Sequence, residues 1–180
     1  LQTIFGSKET IRQEHPVSYV LCPQSPLVID DIYTDAYLEL IGWNIPVAIM
    51  PMPLMGATAP ASIVSTLVIA NCEVLASLCL IQGAEPGTPV IYASVASIMD
   101  PRTGMLKSDA IESGLLSVAT IDMARYYGLP VETSGSGTAQ FVPNVQSGYE
   151  RALSALPAIL SWPDILVGAG LVGGAMILSL

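Results

Sequence analysis

Residues Ile45 to Ala76 read IPVAIMPMPLMGATAPASIVSTLVIANCEVLA. The stretch opens as a continuously apolar run, passes through a Gly-, Ala-, Thr- and Pro-rich loop and enters a long apolar helical pattern. A strand buried on both faces, followed by its βα loop and crossover helix, has this appearance. In parallel α/β folds, ligands are met on such loops, where strand C-termini face helix N-termini.

Working outward, strand-like runs recur at Val17 to Cys22, Ile45 to Met50, Pro89 to Ala93, Pro130 to Thr133 and Ile165 to Val167. Helical patterns fill the intervals. One covers Asp35 to Gly42 and ends at Trp43; a second runs from Ile63 to Gln82, stopped by Gly83 and Pro86. A third starts at the capping-box pair Asp109 and Glu112, places Ile111, Leu115, Leu116, Ala119 and Met123 on one face, and closes at Gly128 and Pro130. A fourth spans Asn144 to Trp162, with a kink or break expected at Pro157. Strand and helix alternating without interruption predicts an α/β fold, either a doubly wound sheet or part of a (β/α)₈ TIM barrel. Five parallel strands do not close a barrel whose usual size is about 250 residues, so residues 1–180 are expected to form one partial barrel domain.

Composition narrows the class. Of 180 residues, 52% are apolar and only 12% charged, and the mean hydropathy is +0.59; buried parallel strands account for this. Pro46 to Asn71 is charge-free but broken by Pro46, Pro51, Pro53 and Pro60, and Ile165 to Leu180 falls short of the roughly 20 residues that span a bilayer, so no membrane insertion is expected. The polar opening LQTIFGSKETIRQEHP carries no secretory pattern. The first methionine is Met50, which points to a piece of a longer protein. Cys22, Cys72 and Cys79 have no metal-binding spacing. The latter two share a helix face, so buried free thiols in a reducing cytoplasm are expected. A net charge of −9 argues against nucleic acid.

The candidate chemistry is sparse. Gly168 to Gly173 matches G-x-G-x-x-G after a strand, but a dinucleotide fingerprint normally sits on the first strand, and the acidic position it needs about 20 residues on lies beyond residue 180. His15 is the single histidine, so a Ser-His-Asp triad, a Cys-His pair or a zinc site would all depend on it. The cobalamin-binding D-x-H-x-x-G pattern is absent. Asp30, Asp31, Asp100 and Glu132 lie at or just beyond strand C-termini, and Glu73 lies within an apolar helix. Tyr92 and Phe141 are aromatic residues on the same edge. An aromatic face beside a carboxylate suits a quaternary ammonium ion, held by cation–π attraction without hydrogen bonds. Met50, Met52 and Met55 cluster in the second βα loop.

At these residues the chain resembles the trimethylamine methyltransferase family, which includes glycine betaine methyltransferases. The matching segments are Gly56 to Ser62 (GATAPAS), Asn71 to Ala76 (NCEVLA), Gly87 to Tyr92 (GTPVIY), Asp100 to Gly104 (DPRTG), Ala124 to Pro130 (ARYYGLP), Gln146 to Glu150 (QSGYE) and Gly168 to Gly170 (GAG), in order and at fitting spacing. The resemblance implies a (β/α)₈ barrel that passes a methyl group from an amine to the Co(I) of a separate corrinoid protein docked over the barrel mouth. No cofactor or metal is then bound directly; cobalamin comes with the partner. Members acting on trimethylamine carry pyrrolysine in the loop that here reads Thr138 to Pro143 (TAQFVP), at or next to Phe141. Its absence here directs the expectation to a quaternary amine such as glycine betaine. Substrate contacts are expected from Tyr92, Glu132, Gln140, Phe141, Met55 and Thr58; no catalytic residue is assigned. A half-barrel with two open strand edges is expected to lack activity alone and to invite homo-oligomerisation. The alternative is a non-catalytic α/β domain whose Gly-rich loops cradle a phosphate or nucleotide.

Overall fold

The computed structural model describes residues 1–179. Helices α1 (Gln2–Phe5) and α2 (Lys8–Glu14) lead into strand β1 (Tyr19–Leu21), helix α3 (Asp31–Leu38), β2 (Val47–Ile49) and β3 (Leu54–Met55). Then follow α4 (Ile63–Ala84), β4 (Val90–Ser94), β5 (Ser97–Ile98), α5 (Ile111–Tyr127), β6 (Val131–Ser134), α6 (Val145–Leu160), β7 (Ile165–Val167), β8 (Leu171–Val172) and β9 (Ile177–Leu178). The main sheet has the order β1-β2-β4-β6-β7, and every pair in it is parallel. The five expected runs are its five strands. β3 and β5 form a short parallel pair of their own in the loops beyond β2 and β4.

Side chains alternate across the sheet, and the two faces differ. Leu21, Val47, Ile49, Val90, Tyr92 and Val131 join Tyr37, Val74, Ile81, Ile121 and Ala124 in one cluster between the sheet and α3, α4 and α5. The opposite, inner face carries Ala48, Met50 and Ala93, with Cys22, Ile91, Val95 and Val167 packed beside them. The helix side is uniformly bulky, whereas the inner face mixes the small Ala48 and Ala93 with larger Met50, Ile91 and Val167. Burial of each large outward side chain contributes on the order of 1.5–3 kcal/mol.

Three helix boundaries differ from the sequence expectation. α3 starts four residues earlier, because the Asp30 side chain accepts from the Ile32 amide at 2.7 Å and caps it. The pair Asp109 and Glu112 makes no capping box: Ala110 is the N-cap, and Asp109 instead accepts from the Lys107 ammonium at 2.8 Å. α6 continues through Pro157 to Leu160. The proline sits in its final turns, where few backbone bonds are left to lose, and a Cβ on Gly114 of α5 would lie only 3.3 Å from its ring.

α4, of 22 residues and mean hydropathy 2.0, is long and apolar enough to cross a membrane by length and composition, which the reading of charge-free runs did not find because Glu73 interrupts the pattern. Here it lies along the sheet with Thr66, Ala70, Glu73, Val74, Ser77 and Ile81 buried. Cys72 and Cys79 do share a face, but it is the exposed one, which corrects the expectation of buried thiols. The buried stripe of α4 is instead Thr66, Ala70, Val74, Ser77 and Ile81, with Glu73 among them.

The Gly-rich stretch after β7 also departs from expectation. Among the described residues no helix follows it; β8 and β9 form an antiparallel hairpin. Gly168 has φ +100°, and a Cβ there would come within 2.8 Å of the Gly135 carbonyl. Gly168→Ala should therefore destabilise by roughly 1–3 kcal/mol, whereas Gly83→Ala, in α4 with nothing within 4 Å of its would-be Cβ, should stabilise by about 0.5–1 kcal/mol; urea unfolding of the two variants measures both.

Candidate functional site

The loops after β1, β2, β4, β6 and β7 all leave from strand C-termini of one parallel sheet, so they gather on one edge. Three carboxylates hold these loops in place. Glu73, buried in α4, accepts from the Ser25 hydroxyl and the Leu27 amide, both at 2.8 Å, and ties the loop after β1 to the helix. Asp30 caps α3 at the end of that same loop. Asp100 accepts from the Arg102 amide at 2.9 Å, which, with the Arg102 and Lys107 charges, holds its carboxyl below the usual range despite some desolvation.

Glu150 of α6, which the sequence offers no reason to single out beyond the segment Gln146 to Glu150, organises the loop after β6. Its carboxylate accepts from the Thr138 hydroxyl at 2.5 Å, from the Gln146 side-chain amide at 2.6 Å and from the Ala139 amide at 3.1 Å. Burial pushes its carboxyl up, but these bonds and the Lys107 charge more than offset that and leave it below the ordinary value. The signal available in sequence was the Gln146 and Glu150 spacing of four, which puts both on one helix face. The loop is further tied by Gly173 donating to the Gln140 carbonyl at 2.9 Å and Gly174 donating to the Thr138 carbonyl at 3.1 Å. Amides of the Gly-rich turn are thus engaged by protein, and the turn opens no helix. The phosphate- or nucleotide-cradle reading does not fit this geometry.

Glu132 lies on the inner face, level with Ala93 and Ile165 of the neighbouring strands. It is 5% exposed and, among the described residues, neither accepts a hydrogen bond nor pairs with a cation. Burial raises its carboxyl above the ordinary range. Cys22 is near enough that burial and the Glu132 charge together push its thiol up. A single carboxylate therefore looks onto an apolar inner surface without a counter-charge.

A cavity of about 440 Å³ opens at the C-terminal ends of β1, β2 and β4, lined by residues that include Cys22, Asp30, Tyr33, Met50, Met52, Thr58 and Val95. A second, of about 310 Å³, lies between the loops after β4, β6 and β7, with Asp100, Met105, Lys107, Phe141 and Gly174 on its walls. Of the six expected site residues, two line these cavities, one each. Thr58 lines the first, its hydroxyl accepting from the Leu54 amide at 2.8 Å. Phe141 lines the second; it is 59% exposed and its ring covers Gly173 so closely that a Cβ there would stand 2.5 Å from it. Gln140 stands beside it, its side-chain oxygen accepting from Asn144 at 3.4 Å. Met55 lies in the short pair of strands at the rim, opposite Ile98. Tyr92, like Glu132, Gln140 and Met55, lines neither cavity. Alternation turns it to the helix side, where it is 1% exposed, stacks on Tyr127 at 6.0 Å and donates to the Asn71 side chain at 3.0 Å; burial raises its hydroxyl. It cannot serve as an aromatic wall for a ligand on the inner face. No group of three or more His, Cys, Asp or Glu residues suited to a metal is found among the described residues.

The family model described as Trimethylamine methyltransferase matches residues 1–180. Among curated relatives, the trimethylamine methyltransferase MttB of Methanosarcina barkeri (strain Fusaro / DSM 804) is 33% identical over 175 residues, covering 97% of this chain and 35% of the relative. MttB of Desulfitobacterium hafniense (strain DSM 10664 / DCB-2) is 30% identical over 168 residues, 93% of this chain and 34% of the relative. The glycine betaine methyltransferase of Desulfitobacterium hafniense (strain Y51) is 32% identical over 158 residues, 88% of this chain and 33% of the relative. The chain spans about a third of the length of the relatives it matches.

Glu132 and Glu150 carry opposite signs of pH dependence. For Glu132, whose folded value is raised, the folded state holds the proton more tightly than the unfolded chain, so stability is greatest below the ordinary carboxylate value and falls as pH rises through the folded one. Glu132→Gln should melt a few degrees above the parent at neutral pH, at about 2–4 °C per kcal/mol, and the gain should vanish below about pH 4. For Glu150, whose folded value is depressed, the stabilisation is present above the ordinary value and is lost on acidification through the folded one. Glu150→Gln should lose roughly 1–3 kcal/mol at neutral pH and approach the parent in acid. Thermal unfolding across the pH range measures both.

Proposed function

Because the chain belongs to the trimethylamine methyltransferase family, we propose that the longer protein containing it is a closed (β/α)₈ barrel that demethylates a quaternary amine, such as glycine betaine, with a separate corrinoid protein as methyl acceptor and cobalamin as that partner's cofactor. The observation that carries this reading is Glu132, a buried carboxylate without a partner on an otherwise apolar inner face. An unpaired buried charge is costly, and a small organic cation is the ligand that removes the cost.

The chemistry requires little else of the protein. When the carbon–nitrogen bond of a quaternary ammonium ion breaks, both electrons stay on nitrogen and a neutral tertiary amine departs. The methyl group passes to the Co(I) corrinoid of the partner, which supplies the electron pair of the new bond. No proton has to be delivered, so a chain whose single histidine, His15, lies in the N-terminal segment before β1 is not short of an acid. What the residues must do is orient the cation and keep water out. Gln140 and Phe141, held by the Glu150 clamp, form the side of the mouth from which a docked acceptor approaches, and Met55 and Thr58 form the rim of the loop after β2. Such an enzyme works in the cytoplasm.

The five strands described here leave β1 and β7 unpaired on their outer edges, so the isolated 180-residue segment should be inactive and prone to pair with a second copy. In the full-length protein, mixing with a corrinoid protein in its Co(I) state and a quaternary amine should produce the methyl-corrinoid spectrum. Glu132→Gln should lower the rate by about tenfold or more, since a buried charge pair is typically worth that much. Methyl transfer from protonated trimethylamine but from no quaternary amine would overturn the substrate assignment.

A further inference from the structure

The polarity of α4 runs opposite to that of a helix laid on a sheet. Its single charged residue, Glu73, is buried together with Thr66 and Ser77, whereas the face turned away from the sheet presents Val64, Val68, Cys72, Ala76, Cys79 and Gly83, all exposed. Val64 and Val68 are 70% and 54% exposed. A helix that is apolar all round belongs in a setting that covers it all round. Closing the barrel does not provide that cover. α4 connects β2 and β4, which are neighbours in the interior of the order β1-β2-β4-β6-β7, and further strands can join only at β1 and β7, the two ends of that order. What covers α4 therefore lies outside the barrel.

We propose that the cover is α4 of a second copy of the chain, packed antiparallel about a two-fold axis that passes between Cys72 and Ala76. The exposed stripe is bulky in its N-terminal half and small in its C-terminal half. Antiparallel pairing about that axis sets Val64 against Gly83, Val68 against Cys79 and Cys72 against Ala76 of the second copy. Each valine meets a small residue, and whatever residue i faces, its counterpart faces residue i, as an isologous interface requires. Small residues opposite the valines let the two axes approach to the roughly 8–10 Å of packed helices. An unrelated covering segment requires no such match of the stripe with itself. α5, which packs beside α4, continues the apolar surface with the exposed Ile111 and Leu115. A helix of 22 residues is about 33 Å long and 10–12 Å across, so α4 with its neighbour offers roughly 600–800 Å² per copy, and two copies reach the roughly 1,200 Å² at which specific interfaces begin. This interface is independent of the proposed demethylation and stands or falls apart from it.

Sedimentation of the full-length protein, thiol labelling and an engineered disulfide test the proposal. The parent should sediment as a dimer or a higher even oligomer, with Cys72 and Cys79 slow to react with N-ethylmaleimide until the protein is unfolded. Ala76→Glu puts a good helix former at an exposed position and brings two carboxylates together near the axis; it should weaken the dimer by about 100-fold or more and make both thiols reactive. Val68→Cys should form an intermolecular disulfide with Cys79 of the second copy under copper–phenanthroline and air, identified by mass spectrometry of the linked peptides, because facing positions meet the Cβ separation that a disulfide needs. A monomer with protected thiols would put a segment of the longer chain on α4, and a monomer with reactive thiols would leave the face free. An oligomer whose mass and labelling Ala76→Glu leaves unchanged would use another surface. Each of these results overturns the proposal, and if Ala76→Glu fails to fold, absence of the Val68→Cys disulfide does so by itself.

Discussion

Everything in this molecule depends on the alternation of side chains along five parallel strands that are covered on one face by helices. A strand residue has two destinations, and each step along the chain switches between them. Val47, Ile49, Val90, Tyr92 and Val131 go to the helix side, where their bulk fills the space against α4 and α5. Ala48, Ala93 and Glu132 go to the other. The parity that packs Val131 against the helices turns Glu132 the opposite way. Core packing and the placement of the candidate site's charge are thus one decision.

The loops depend on a second device, the use of carboxylates as clamps. Glu73 holds the loop after β1, Asp30 starts α3 from it, and Glu150 holds the loop after β6. Each is satisfied by hydrogen-bond donors rather than by a cation, which suits a chain with 15 acidic and 6 basic residues. Each is a charge-assisted bond, about twice as strong as a neutral one; those of Glu73 and Glu150 are partly or fully withdrawn from water, that of Asp30 is exposed. Glu132 is the exception that this pattern makes visible. Where the other buried carboxylates are met by donors, this one meets apolar surface, and its raised carboxyl is the electrostatic record of that.

The expectations for particular residues fared according to whether they rested on local or non-local physics. Gly128 closes α5 in the left-handed conformation, as its position before Pro130 indicated, because a cap is decided within a few residues. The capping pair at Asp109 and Glu112 did not form, since Lys107, two residues away, competes for the aspartate. Tyr92 is expected at the mouth because it lies near the C-terminal end of the run Pro89 to Ala93, but its neighbours in the run are apolar on both sides, so nothing local tells which parity faces the helices. The size contrast between Ala93 and Tyr92 was the available clue. Phe141 and Gly173 come together from residues far apart in the chain, and no periodicity reports such a contact.

The sequence by itself determined the five parallel strands and the edge on which their loops collect, because continuous apolar runs punctuated by Gly and Pro admit few other arrangements; their sequential order, which separates a barrel segment from a doubly wound sheet, came from the structure. The sequence also determined, through its similarity over residues 1–180, the family. Only the tertiary structure decided which side of each strand is inward, which carboxylates are spent as clamps, and that Asp30, Tyr33 and Thr58 share one cavity while Phe141 lines another. The reason is physical: a strand or a cap is set by a handful of neighbouring residues, whereas a carboxylate's role depends on what donors the fold brings to it from elsewhere in the chain.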